Sequence, residues 1–159
     1  MNLICTNKSK INNNIIIDTF KKWLNINMAF HWGYEMHYYP IERKIFAESY
    51  MSDGNDSLID YKFICFNGVP TYCQVISDRK NKLLNWYNMD WDWQNISRLD
   101  FKSDKTKLDK CPNNFEKMKT YASIFSKDFK FVRVDFYEIN NIIYLGELTF
   151  TPASRVHKI

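Results

Sequence analysis

Asp135 and Glu147 interrupt two apolar stretches, FVRVDFYEI (131–139) and IIYLGELTF (142–150), that otherwise read as paired strands. Strand side chains alternate between faces, so Phe131, Arg133, Asp135 and Tyr137 share one side, as do Ile143, Leu145, Glu147 and Thr149. Register decides whether the two sides coincide. A connection of three or five residues centred on Asn141 sets Asp135 opposite Glu147 and Arg133 opposite Thr149, whereas a two-residue turn puts the carboxylates on opposite faces. In the first register their β-carbons stand about 5 Å apart, and two such anions repel unless a cation lies between them. Mg²⁺ takes one or two protein carboxylates and fills its octahedron with water and phosphate oxygens. Arg133 beside the pair would then reach a phosphoryl group. The plainer alternative is that each carboxylate bonds a nearby Lys or Arg at a solvated sheet edge. If Asp135 serves only a ligand, Asp135→Asn abolishes metal-dependent nucleotide binding with little loss of stability.

A second hairpin is expected where DYKFICF (60–66) and TYCQVIS (71–77) flank Asn67-Gly68, a dipeptide suited to a two-residue turn. Continuing that register places Lys62 opposite Cys73 and Asp60 opposite Val75, with Arg79 on the same face if the strand persists. Lys62 and Arg79 can meet phosphates there while Asp60 takes sugar hydroxyls. An exposed strand face of alternating charge is the competing account.

The elements that must hold these residues are of mixed type. Asp18 is a candidate cap for a helix carrying Phe20, Trp23 and Leu24. Asn113 or Asn114 can cap a second, with Phe115, Met118, Ala122 and Phe125 on one face. Lys44 to Met51 reads as a strand ending in the polar loop SDGNDS, and NWYNMDWDWQNISRLDF (85–101) as an ordered loop with short helical or extended pieces. The fold class expected is α+β: an antiparallel sheet with flanking helices.

Composition limits the rest. A chain of 159 residues with 45% hydrophobic and 17% aromatic content can bury a core, which argues for one globular piece. Its longest apolar runs are too short to span a bilayer, and the first ten residues lack a signal-peptide core, so a cytoplasmic protein is expected. The net charge of +4 is spread out, which suits an anionic ligand such as a nucleotide but is explained equally well by a solvated face, and nucleic acid is not expected. Cys5, Cys65, Cys73 and Cys111 are widely spaced, which predicts reduced, partly buried thiols. His31, His37 and His157 lack metal-ligand spacing and read as structural or surface residues.

Taken in order, HWGYEMHYYPIERKIFAESYM, DYKFICFNGVP, SDR, KCPNNFEKM, FVRVDFYEINN and YLGELTFTPAS resemble the TupA-like ATP-grasp family, named for teichuronopeptide biosynthesis. The resemblance implies an ATP- and Mg²⁺-dependent carboxylate–amine ligase working through an acyl phosphate, in bacterial surface polysaccharide or capsule biosynthesis. It implies Asp135, Glu147 and Thr149 as metal positions, and Arg133 and Lys62 as bases at the transferred phosphoryl group. It further implies Asp60 for ribose, Arg79 for phosphate or substrate, and Glu48, Tyr50 and Met51 at the adenine hinge. On this basis 1–31 is expected to be a remnant of the N-terminal subdomain and 32–159 the C-terminal subdomain, with segments found in relatives missing at both ends. Two other readings stand beside it. One is a non-catalytic remnant that binds nucleotide poorly or packs against a glycosyltransferase. The other is an α+β interaction domain whose contact surface is the tract from Trp86 to Trp93.

Overall fold

A computed structural model describes residues 2–30, 35–52, 54, 58–97 and 101–151. His31, His157 and most of the SDGNDS loop lie outside the described residues. The chain divides into two compact units, Met1–Met51 and Ser52–Ile159.

In the first unit the helix α1 spans Asn13–Leu24 and starts earlier than Asp18 suggests. Asn12 has extended backbone, and its side-chain oxygen accepts from the amides of Asn14 (3.1 Å) and Ile15 (3.4 Å). Those are donors that the first helical turn leaves unpaired, so the helix begins there and Asp18 falls mid-helix. Lys44 to Met51, expected as a strand, is irregular and mostly exposed. It finds no ladder partner among the described residues, and an unpaired strand has nothing to hold it extended.

The second unit is a six-stranded antiparallel sheet with one helix on it. Its strands are β1 (Asp60–Phe66), β2 (Val69–Asp78), β3 (Leu83–Tyr87), β4 (Trp93–Gln94), β5 (Phe131–Ile139) and β6 (Ile142–Thr149), in the spatial order β4-β3-β2-β1-β5-β6. The expected α+β class with an ATP-grasp-like sheet is the class observed. The helix α2 (Phe115–Ser126) buries Phe115, Met118, Ala122 and Ser126. Phe125, expected on that face, is more than a third exposed, and the small Ser126 takes the buried place. Asn114 precedes the helix without capping it; its amide donates instead to Glu138 and to the Asn141 carbonyl, both at 2.8 Å.

One face of the sheet is the hydrophobic core. Tyr61, Phe63, Cys65, Cys73, Val75, Tyr87, Val132, Val134 and Phe136 pack there with the buried side of α2. The aromatic tract supplies the third strand and part of this core rather than an exposed contact surface: Trp91 stacks on Tyr87 with ring centroids 4.3 Å apart and meets Phe115 edge-on. Burial pushes the Cys65 and Cys73 thiols up, as expected for packed rather than reactive cysteines. Among the described residues no helix is long and apolar enough to cross a membrane.

Candidate functional site

The opposite face of the sheet carries the charged residues, and two single-residue bulges decide which of them meet. Both hairpins turn on two residues in left-handed conformation, Asn67-Gly68 (φ 48° and 81°) and Asn140-Asn141 (φ 52° and 62°). Paired positive φ values match the twist of the flanking strands, and asparagine tolerates them. Of the connections left open at Asn141, the two-residue turn is the one that forms. Alone, that turn would separate Asp135 from Glu147. Between Phe136↔Leu145 and Asp135↔Glu147, however, the register shifts by one residue at Gly146. This bulge restores the pairing: Asp135 stands opposite Glu147, and Arg133 opposite Thr149. It also moves Ile143 and Leu145, expected beside Glu147, to the core side opposite Glu138 and Phe136.

Gly146 is the residue that permits this. A β-carbon placed on it would lie 2.7 Å from Cε2 of Tyr137 and 3.4 Å from the backbone oxygen of Asp135. The Tyr137 ring thus passes over the bulge where only a glycine leaves room.

The first hairpin has a bulge as well, at Thr71, between Cys65↔Pro70 and Ile64↔Tyr72. The turn at Asn67-Gly68 is as expected, yet the extra residue corrects the pairing beyond it. Lys62 faces Gln74 rather than Cys73, and Asp60 faces Ile76 rather than Val75. Cys73 and Val75 belong to the core face instead. On its other side Lys62 pairs with Asp135. One straight row therefore crosses all six strands: Gln94, Trp86, Gln74, Lys62, Asp135 and Glu147.

Around this row three bases and three acids alternate. Arg133 donates from Nε to Asp135 Oδ1 and from Nη2 to Oδ2, both at 2.7 Å, in a bidentate fork. The same Nη2 lies 3.0 Å from Thr149 Oγ1 and 3.4 Å from Glu147 Oε2. Lys62 Nζ donates to Asp135 Oδ2 at 2.5 Å and sits 3.4 Å from Asp60 Oδ1, which has no aligned hydrogen bond. Asp60 Oδ2 accepts from Arg79 Nη2 at 2.5 Å. Asp60 is 0% and Asp135 2% exposed, whereas the Glu147 side chain is 57% exposed. Burial opposes the Arg133 charge, but hydrogen bonds and attraction from Asp135 and Glu147 outweigh it and hold the guanidinium above its ordinary value. Burial, reinforced by the charge of Asp60, pushes Tyr137 up to about 12.

The sheet thus brings Lys62, Asp60, Arg79, Arg133, Asp135, Glu147 and Thr149 together. Glu48, Tyr50 and Met51 belong to the first unit. Asp135 does meet Lys and Arg, but at a buried position rather than at a solvated edge. Among the described residues, no three His, Cys, Asp or Glu side chains converge as a metal cage. The hard-oxygen set of Asp135, Glu147 and Thr149 fits a Mg²⁺ ion that shares its shell with water and phosphates, provided Arg133 withdraws from the space between them. Gln74 was missed by the sequence reading; its one signal is a polar side chain between Cys73 and Val75 in a strand otherwise rich in buried residues.

A family model described as TupA-like ATPgrasp matches residues 2–158 of the chain. No curated protein and no solved structure matches it.

Proposed function

The chain belongs to the TupA-like ATP-grasp family, and on that premise we propose that its charged sheet face binds ATP and serves a carboxylate–amine ligation in surface polysaccharide or capsule biosynthesis. The observation that supports this most is the cross-strand set in which Arg133 and Lys62 both hold Asp135, with Glu147 opposite. Phosphoryl transfer needs charge neutralisation and positioning more than covalent participation, and this face offers both.

In the proposed reaction a substrate carboxylate oxygen attacks the γ-phosphorus of ATP, the bond to ADP breaks, and an acyl phosphate forms. An amine then displaces phosphate to leave an amide. Arg133 and Lys62 hold the transferred phosphoryl group and oppose its developing charge. Mg²⁺ held by Asp135, Glu147 and Thr149 would supply Lewis-acid polarisation of phosphate oxygens. Asp60, buried beneath Lys62 and Arg79, holds both bases in place, and it reaches a ribose only when Arg79 swings away. For adenine, the family resemblance alone supports Glu48, Tyr50 and Met51.

The test is calorimetric titration of Mg·ATP into the full chain beside Asp135→Asn and Glu147→Gln, with each variant's folding checked by circular dichroism. Binding that requires both carboxylates supports the reading, whereas a folded wild-type chain that binds no Mg·ATP refutes it. A second reading, a non-catalytic ATP-grasp remnant that acts as a binding module or packs against a glycosyltransferase, is favoured by one observation. Apart from Asp60 Oδ1, which has no aligned hydrogen bond, the bases and acids already pair with one another. Binding without turnover is its expected signature.

A further inference from the structure

Beyond Lys62 the cross-strand row runs through Gln74 and Trp86, two neutral side chains that the ion pairs do not use, to Gln94 on β4. Gln74 is opposite Lys62 on one side and opposite Trp86 on the other, so all three side chains project from the same face. Gln74 is only 5% exposed. The indole Nε1 of Trp86 is buried and has no hydrogen-bond partner. Its ring is fixed by an edge-on contact with Tyr72, at 6.5 Å between centroids.

Buried donors are nearly always paired, and an orphan costs about 1–3 kcal/mol. The Trp86 Nε1 is such an orphan, and it lies two strands from Lys62 at about 5 Å per strand with the Gln74 amide on the strand between, so the pair offers N–H donors to an oxygen acceptor beside the lysine. Neither group is charged, so they add donors without charge and suit a neutral or transiently negative oxygen beside the phosphate that the bases hold.

Resting on the ligase reading above, we propose that Gln74 and Trp86 are the donors that hold the acyl carbonyl oxygen of the acyl phosphate whose phosphoryl group Lys62 and Arg133 hold. That carbonyl lies one ester oxygen away from the phosphorus, which matches a row in which the neutral donors follow directly on the lysine. When the amine nitrogen bonds to the acyl carbon, the C=O π pair moves onto this oxygen. When that pair returns, the carbon–oxygen bond to phosphate breaks and phosphate leaves with its electrons, taking up the proton the amine sheds. Fixed N–H donors in a site of low dielectric stabilise the transient oxyanion without reorganisation. Gln74 and Trp86 thereby favour acyl over alkyl phosphates.

The experiment compares acetyl phosphate with ethyl phosphate, a probe of similar size lacking the carbonyl oxygen, on the wild-type chain, Trp86→Phe and Gln74→Leu. Binding is followed by calorimetry and by the indole N–H resonances in ¹⁵N-labelled protein, with Trp86 assigned by its disappearance in Trp86→Phe. Acetyl phosphate should bind about five- to tenfold tighter than ethyl phosphate, the worth of one neutral hydrogen bond, and should shift the Trp86 N–H downfield. Trp86→Phe should erase that preference while leaving ethyl phosphate and Mg·ATP affinity unchanged, and it should lose no stability through a broken hydrogen bond, because Nε1 has no partner to lose. Equal shifts from both probes, or a preference that survives in both variants, would overturn the proposal. A chain that prefers acetyl phosphate yet binds no Mg·ATP would leave the subsite standing and refute the ligase reading. Mg·ATP binding without any preference would do the reverse.

Discussion

Gly146→Ala tests whether a single bulge aligns the candidate site. The added β-carbon would sit 2.7 Å from Cε2 and 3.3 Å from Cδ2 of Tyr137, and 3.4 Å from the Asp135 backbone oxygen. A contact of 2.7 Å is about 1 Å inside the favourable carbon–carbon separation of 3.5–4.0 Å. The obstructing atoms belong to a rigid ring in a strand paired on both sides, so relief requires the ring or β6 to move. Overpacking of this kind costs about 1–3 kcal/mol, which for a chain of this size lowers Tm by roughly 2–4 °C per kcal/mol. The coupling to Tyr137 can be isolated. In Tyr137→Ala the space is open, so Gly146→Ala added to it should cost well under 1 kcal/mol, and the double-mutant cycle should return a coupling of about 1–2 kcal/mol. Thermal and urea denaturation of the four proteins measure this, and Mg·ATP titration of the same set shows whether a displaced β6 separates Glu147 from Asp135. Additive stabilities in the cycle would refute the steric reasoning. A Gly146→Ala protein with lowered stability but unchanged Mg·ATP affinity would show that the bulge serves packing alone.

Three further outcomes follow from the geometry. Asp135→Asn should lower stability by about 3–5 kcal/mol, because it leaves the Arg133 fork and Lys62 buried against a neutral amide; denaturant midpoints check this, and a wild-type midpoint would contradict the buried pairing. That replaces the small loss expected from the sequence, where Asp135 had only a ligand to serve. Asn85→Ala should cost about 2–3 kcal/mol without changing Mg·ATP affinity, since the fully buried Asn85 side chain bonds the Lys107 carbonyl, the Asp109 carboxylate and the Asp104 amide on the core side. Protease sensitivity of the 101–111 loop reads it directly. Tyr137 has a raised phenol pKa, so the unfolded chain releases its proton first: the stabilisation is complete below about pH 10 and is lost as pH rises toward about 12. Tyr137→Phe should flatten that alkaline fall in stability, and an unchanged slope would show that the phenol titrates freely.

Local chemistry made much of the fold legible. Asn67-Gly68 located the first hairpin, and the spacing of Phe115, Met118 and Ala122 located α2. The pairing of Asp135 with Glu147 was one of two registers the sequence left open, and it forms through a two-residue turn and a bulge rather than the longer connection. What stayed hidden were the extra residues. Thr71 resembles any strand residue, and nothing in its type announces that it shifts Lys62 from Cys73 to Gln74. Gly146 was the one bulge with a signal, a glycine inside a strand pattern. β3 was hidden for a different reason. Leu84, Asn85 and Tyr87 are buried, so LLNWY shows no alternation, and the polar Asn85 sits in the core because it ties down a loop rather than because it faces water.

The chain of ion pairs from Glu147 through Arg133, Asp135, Lys62 and Asp60 to Arg79 carries equal numbers of opposite charges, and this has a thermodynamic consequence. A cation arriving at the carboxylates releases Arg133 and Lys62 from their present partners, and an anion arriving at those bases releases the carboxylates. Each ligand removes the competitor of the other, so their affinities rise together and by the same factor. On the proposed reading, a face built this way would discriminate against either ion alone and answer to the pair.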